Sequence, residues 1–147
     1  MMKGRLLIIV LAAIAASCAP PPSYEPFVMR EKAQYGDTYP FTLDLSDTTA
    51  SYSLDFYTRL ERPSFGEFPS DSLVLDLRLF SPSDSIITDT TFIRIGRPVD
   101  MSYYSKDFVS EYLDRFVPSE GGTWRLNAKV VNDSPCVRGL GIILKRH

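Results

Sequence analysis

Apolar and polar residues alternate with a period of two along most of the chain. In residues 72–80 four leucines share one face, and Asp76 and Arg78 lie on the other. The same alternation recurs in five further segments, at residues 38–45, 51–61, 87–95, 123–131 and 137–146. Successive side chains of a β-strand point to opposite faces, so this pattern predicts half-buried strands. One apolar face per strand indicates antiparallel sheets that pack on each other.

Short runs of turn-forming residues separate these segments. They include Ser46-Asp47, residues 81–85 (SPSDS) and Gly121-Gly122, and Gly, Pro, Asp and Ser are the residues that turns favour. The spacing predicts an all-β fold, an antiparallel β-sandwich of the jelly-roll or immunoglobulin-like kind with six to eight strands. We expect this sandwich to span residues 35–147.

Residues 105–117 (SKDFVSEYLDRFV) have a different pattern. Aromatic residues recur there at every fourth position: Tyr104, Phe108, Tyr112 and Phe116. This spacing predicts one face of a short helix, with Ser105 as its N-cap and Pro118 as its stop. We expect the helix to lie across a mouth or an edge of the sandwich.

The N-terminus combines a basic start, Lys3 and Arg5, with an uncharged apolar run at residues 6–16. That run is too short to span a membrane as a helix, and the combination predicts a secretory signal peptide over residues 1–17. The sequence Ala15-Ala16-Ser17-Cys18 resembles the bacterial lipobox, which implies acylation of Cys18 and cleavage just before it. The alternative is an ordinary signal peptide that contains a cysteine.

Residues 18–34 are expected to form the lipidated N-terminus and a linker, because three consecutive prolines favour an extended polyproline II spacer. Stable anchoring takes more than one acyl chain, as bacterial lipoproteins carry. Surface-exported Bacteroidetes lipoproteins often have acidic residues directly after the cysteine, whereas the first acid here is Glu25. We therefore expect an outer-membrane lipoprotein that faces the periplasm.

Charge and titratable residues exclude several function classes. Loss of Lys3 and Arg5 leaves 14 basic and 18 acidic residues, a net charge of −4, which argues against nucleic-acid binding. Cys136 has no cysteine partner once Cys18 is lipidated, and His147 is the only histidine and the last residue. We expect no metal site, no cofactor and no enzymatic activity.

Two alternatives remain open. Asp44, Asp55 and Asp76 lie on the polar faces of different predicted strands, and a hydrolase would need two of these acids to meet. A glycan-binding module of a polysaccharide-uptake system would need an exposed row of aromatic residues. Its candidates are Tyr57, Tyr103, Tyr104 and Trp124.

Four tripeptides resemble the Asp-Ser/Thr-apolar site of O-glycosylation in exported Bacteroidetes proteins. The acceptors would be Thr48, Ser72, Ser85 and Thr90. The same tripeptides are equally typical of a turn that leads into a strand, so both interpretations stand.

Three stretches together resemble the gliding-motility lipoproteins of the GldH type from Bacteroidetes. These stretches are residues 39–61, residues 71–85 and residues 122–147, and the closing strand of the last one contains Gly-Leu-Gly. The resemblance implies a non-enzymatic accessory component of an envelope, secretion or motility-type assembly, with a protein partner in the cell envelope. It carries over no catalytic residue.

Overall fold

The computed structural model of the chain describes residues 23–61, 71–95, 105–132 and 134–147. These ranges contain nine β-strands and two single turns of 3-10 helix, at Arg30–Lys32 and Ser134–Cys136. The strands are β1 (Ser23–Tyr24), β2 (Phe27–Met29), β3 (Thr38–Asp44), β4 (Tyr52–Glu61), β5 (Ser72–Phe80), β6 (Ile86–Arg94), β7 (Ser105–Phe116), β8 (Thr123–Val130) and β9 (Val137–Arg146).

The strands form two antiparallel sheets that pack face to face. The first sheet has the order β1-β9-β4-β7, with β2 also paired to β9, and the second has the order β3-β8-β5-β6. The predicted all-β antiparallel sandwich is therefore confirmed. The described strands exceed the predicted six to eight because β1 and β2 are too short to show a period in the sequence.

The sandwich begins earlier than residue 35. Ser23 pairs with Lys145, and Phe27 pairs with Gly141, so two short strands of the predicted linker lie alongside β9. The signal peptide and Cys18 belong to residues 1–22, which lie outside the described residues.

The inner faces of the two sheets form a single apolar core. It consists of the alternating residues that the sequence pattern assigned to the inside, and its largest fully buried side chains are Tyr39, Phe56, Leu43, Leu54, Leu60, Leu73, Leu75, Leu77, Ile93, Leu126, Leu140 and Ile142. The hydroxyl of Tyr39 is buried without a hydrogen-bond partner among the described residues, and burial raises its pKa to about 12.

The helix predicted over residues 105–117 is wrong, because Ser105–Phe116 forms the edge strand β7. A spacing of four is also a multiple of two, so Phe108, Tyr112 and Phe116 fit one face of a strand as well as one face of a helix. Pairing with β4 decides between the two. Two register shifts and a positive φ of 46° at Arg115 bend the end of this strand and return Phe116 to the core side.

Two glycines of β9 allow aromatic rings to lie flat against the outer face of the first sheet. A Cβ atom on Gly139 would lie 2.4 Å from the Phe27 ring, and one on Gly141 would lie 2.3 Å from the Tyr57 ring. The two rings stack with centroids 5.4 Å apart. The Arg59 guanidinium lies 5.8 Å from the Phe27 ring centroid.

We predict that Gly139→Ala lowers the free energy of unfolding by about 2 kcal/mol, the usual cost of overpacking. The added methyl would also lie 2.7 Å from the backbone carbonyl of Val28, which cannot rotate away. Gly141→Ala is the matched control, since its nearest neighbours are side-chain atoms of Tyr57, and we expect a smaller loss. Urea denaturation measures both. Equal losses for the two variants would contradict the packing described here.

Candidate interaction edge

Each sheet ends in strands whose outer backbone groups have no strand partner, and three of these ends are blunted. In the second sheet, β3 carries Pro40. Leu45 and Gly122 exchange both backbone hydrogen bonds, so alternation turns the backbone of Pro40 away from β8, toward the open side. A proline there removes the donor that a foreign strand would need. In the first sheet, β7 is bulged over residues 111–116, and its regularly paired part carries the charged residues Lys106, Asp107 and Glu111, which also protect an edge. Strands β1 and β2 have only two and three residues.

The fourth edge strand, β6, pairs with β5 along its whole length without a register shift, and it contains no proline. Val74 of β5 directs both its backbone groups toward β8, where the N–H donates to Asn132 and the C=O accepts from Val131. The backbone N–H and C=O of its partner Phe92 therefore point away from β5. Consistent with this orientation, the Phe92 carbonyl accepts a hydrogen bond of 3.0 Å from the Ser110 hydroxyl of β7.

The same alternation applies along the whole strand. Ser81 bonds to Ser85 at one end of the β5–β6 pair, and Ile95 bonds to Asp71 at the other. The backbone N–H and C=O groups of the odd-numbered residues of β6 thus point toward β5, and those of the even-numbered residues point outward from the edge of the sheet. Within the described residues, segment 86–90 has its outward groups unpaired, apart from the Thr90 N–H, which donates to the Asp89 carboxylate at 2.8 Å.

Large apolar side chains flank these open backbone groups. Ile86, Ile87 and Phe92 are 61%, 49% and 57% exposed, although β-branched and aromatic side chains contribute most to a sheet when a neighbour covers them. Ile93 is the one fully buried residue of the strand. We call β6, with its exposed apolar side chains and its outward backbone groups, the β6 edge.

An exposed carboxylate, that of Asp89, interrupts the β6 edge near its centre. Asp89 pairs with Leu77, whose side chain is fully buried in the core, so Asp89 projects on the inner side of the sheet. The sandwich is open there, and the Tyr112 hydroxyl donates to this carboxylate at 2.6 Å. That hydrogen bond lowers the pKa of Asp89, so the carboxylate is ionised at neutral pH. Burial and the same bond raise the pKa of Tyr112.

The four predicted glycosylation acceptors fall at different places. Thr48 is exposed in the turn between β3 and β4, and Ser85 is exposed in the turn before β6. Thr90 is exposed on β6, where its hydroxyl donates to Asp76 at 3.1 Å. Ser72 is half-buried at the start of β5. The aspartates of these tripeptides organise the local backbone, as Asp47 does by accepting from the Thr49 N–H.

The structure does not bring the three candidate acids together. Asp44 pairs with Thr123 and Asp76 pairs with Lys129, six residues apart on β8, which corresponds to about 20 Å along the strand. Asp55 lies on β4 in the other sheet. No group of three His, Cys, Asp or Glu suited to a metal ion occurs in the described ranges.

The C-terminal histidine folds back onto β4, a contact that no sequence pattern predicted. The His147 amide donates to the Ser51 carbonyl, and the His147 ring Nε2 lies 3.0 Å from the Ser53 hydroxyl. Within the described part of the chain no carboxylate bonds to its other ring nitrogen, so a Ser-His-acid triad is not assembled. Cys136 is half-buried directly before β9.

A groove of about 520 Å³ lies at the end of the sandwich that carries Ser23 and Arg146. Asp44 and Asp47 line it, and hydrogen bonds from Ser46 and Thr49, respectively, lower the pKa values of these carboxyls. Each bond is made within a turn of the same segment. The carboxylates therefore serve the connection between β3 and β4, and we assign the groove no ligand.

The aromatic candidates for glycan binding are largely used for packing. Trp124 is 5% exposed and its ring N–H donates to the Glu120 carbonyl, while Tyr57 lies against Phe27. Tyr103 and Tyr104 lie outside the described residues. The described aromatic side chains that are well exposed are Tyr24 in β1, Tyr35 in the turn before β3, and Phe92 in β6.

We predict that Thr88→Pro and Thr91→Pro differ strongly in stability. The Thr88 N–H faces outward, so proline there should cost at most about 1 kcal/mol. The Thr91 N–H faces β5, and its loss should cost about 3 kcal/mol. Thermal and urea unfolding of the two purified variants measure the difference. A Thr88→Pro variant that is as unstable as Thr91→Pro would disprove the outward orientation.

The described residues contain no helix that is both long and apolar enough to cross a membrane. No protein-family model and no curated protein matches the chain. Solved structures resemble it only weakly.

A Sulfurospirillum deleyianum protein is 6% identical, with a TM-score of 0.39 over 87% of this chain and 99% of the other. The Yersinia pseudotuberculosis-derived mitogen is 10% identical, with a TM-score of 0.36 over 87% and 88% of the two chains. The arabinose-bound α-L-arabinofuranosidase MgGH51 is 14% identical, with a TM-score of 0.35 over 90% of this chain and 24% of the enzyme. At these scores the matches carry no inference about function.

Proposed function

We propose that this chain is a non-enzymatic lipoprotein of the cell envelope, anchored through acyl chains on Cys18 and related to the GldH-type gliding-motility lipoproteins. Its sandwich would serve as an accessory component of an envelope, secretion or motility-type assembly. The periplasmic side of the outer membrane is the proposed location. The partner is an envelope protein that adds a strand to the β6 edge.

One observation carries the proposed contact: β6 exposes three large apolar side chains, and the outward backbone groups of residues 86–90, apart from the Thr90 N–H, have no partner among the described residues. Strand addition uses the same two features, because main-chain hydrogen bonds supply affinity and alternate side chains supply specificity. The contrast with Pro40 on β3 and with the bulges of β7 supports the choice of β6, since proteins usually protect an edge that has no partner.

The lipid anchor is supported by the lipobox-like Ala15-Ala16-Ser17-Cys18 after a short apolar run. The distance from Cys18 to the first residue of the sandwich, Ser23, is short enough for such an anchor. Four residues lie between Cys18 and Ser23, and the five residue steps would span about 15 Å as polyproline II. The described domain would therefore be held close to the membrane surface.

For the anchor, we predict that Cys18→Ala abolishes incorporation of an alkyne-bearing fatty acid, because the acylated thiol is gone. Cys136→Ala is the matched control and should incorporate the label at the level of the wild type. Metabolic labelling followed by click chemistry and gel fluorescence measures both variants. Retained label in Cys18→Ala would contradict the proposed anchor.

For the partner, we predict that Thr88→Pro lowers recovery of a specific envelope protein by about tenfold when the tagged full-length chain is purified from crosslinked membranes. Proline at position 88 removes an outward N–H that the partner strand needs. Thr42→Pro is the matched control, since residue 42 faces outward on the opposite edge, on β3.

Quantitative mass spectrometry of the two variants and of the wild type measures this loss. Recovery of the same proteins in equal amounts from Thr88→Pro and from Thr42→Pro would show that β6 is not the contact.

A further inference from the structure

We propose that the open part of the β6 edge, residues 86–90, selects a partner strand with a lysine or arginine opposite Asp89 and rejects a second copy of this chain. This inference rests on the proposed function and adds to it the chemistry of the partner. The proposed partner segment is short and extended, and it has apolar residues on both sides of one basic residue.

The charge of Asp89 is not neutralised within the described part of the chain. Its carboxylate accepts hydrogen bonds from the Tyr112 hydroxyl and the Thr90 N–H, and both donors are neutral. None of the ion pairs between described residues includes it. A strand added to β6 would therefore cover an ionised carboxylate, which is costly unless a cation accompanies it.

Self-pairing illustrates the cost. Antiparallel pairing of two copies over the whole segment 86–90 is centred on Thr88, and it places Asp89 of each copy opposite Ile87 of the other. A shift that centres the pair on Asp89 places two carboxylates opposite each other, which is destabilising. A shift toward the turn before β6 leaves only residues 86–88 paired. Asp89 thus acts against association of identical chains, as inward-pointing charges on edge strands do.

A basic residue in the partner would make the Asp89 charge favour strand pairing. Opposite charges that face each other across two strands attract, and the cation would enter the opening where Tyr112 holds the carboxylate. Two positions away on the same face, the partner meets Ile87, which favours an apolar residue there. The arrangement therefore fits a segment of alternating apolar and polar residues with one lysine or arginine at its centre.

Two peptide probes test the selection. They are the fluorescein-labelled heptapeptides Thr-Val-Thr-Lys-Thr-Val-Thr and Thr-Val-Thr-Glu-Thr-Val-Thr, whose central residue lies on the same face as the valines. Fluorescence anisotropy would be measured with the mature chain carrying Cys18→Ala, which lacks only the proposed acylation site. We expect the Lys peptide to bind about tenfold more tightly, and Asp89→Lys to reverse the order.

The outcomes separate this inference from the proposed function. Equal affinities for the two peptides would overturn charge selection and leave strand addition standing. No binding of either peptide at millimolar concentration, or binding that Thr88→Pro does not weaken, would overturn strand addition at β6 as well.

Self-association is the second arm of the test. By sedimentation velocity at about 100 µM we expect the same Cys18→Ala chain to be a monomer and its Asp89→Val variant to form dimers. Adding Thr88→Pro to Asp89→Val should restore the monomer. Tyr112→Phe keeps the carboxylate while it removes the hydrogen bond, so this variant should stay monomeric. A monomeric Asp89→Val variant, or dimers of the starting chain, would refute the role of Asp89.

Discussion

An open antiparallel sheet ends in strands that each leave one row of backbone donors and acceptors without a partner in the sheet. In this protein, the edges differ in whether they are protected from pairing with a further strand. Pro40 removes a donor on β3, bulges bend the end of β7 after a charged stretch, and β1 and β2 are too short to offer many groups. Among the described edge strands, β6 has the largest group of exposed apolar side chains, Ile86, Ile87 and Phe92. This difference between the edges supports the proposal that another strand pairs with β6.

Local periodicity made the sandwich predictable. The six alternating segments coincide with six of the strands, because burial of one face requires a period of two whatever the neighbouring strand is. The helix prediction failed at Phe108 and Tyr112 since a spacing of four satisfies both periods. The edge position of β6 was not predictable, because strand order depends on pairing between residues distant in sequence, such as Val74 with Val131. Asp89, first noted as part of a turn-like tripeptide, acquires its role only from that pairing.

The proposed anchor and the β6 edge belong to one arrangement. The chain enters the sandwich at Ser23, which pairs with Lys145 near the end of β9. Tyr52, at the start of β4, pairs with Arg146 at the same end. In the second sheet, Asp44 reaches this end of the sandwich, where it lines the groove beside Ser23 and Arg146. A lipid on Cys18 would hold this end toward the membrane and leave the edges of both sheets accessible from the side.

Amide hydrogen exchange along β6, followed by NMR, tests the central claim most directly. The account predicts alternation: slow exchange at Ile87, Asp89, Thr91 and Ile93, whose N–H groups face β5, and fast exchange at Ile86 and Thr88, whose N–H groups face outward. Uniformly slow exchange from residue 86 to residue 93 would show that the edge is already covered, and it would contradict the account.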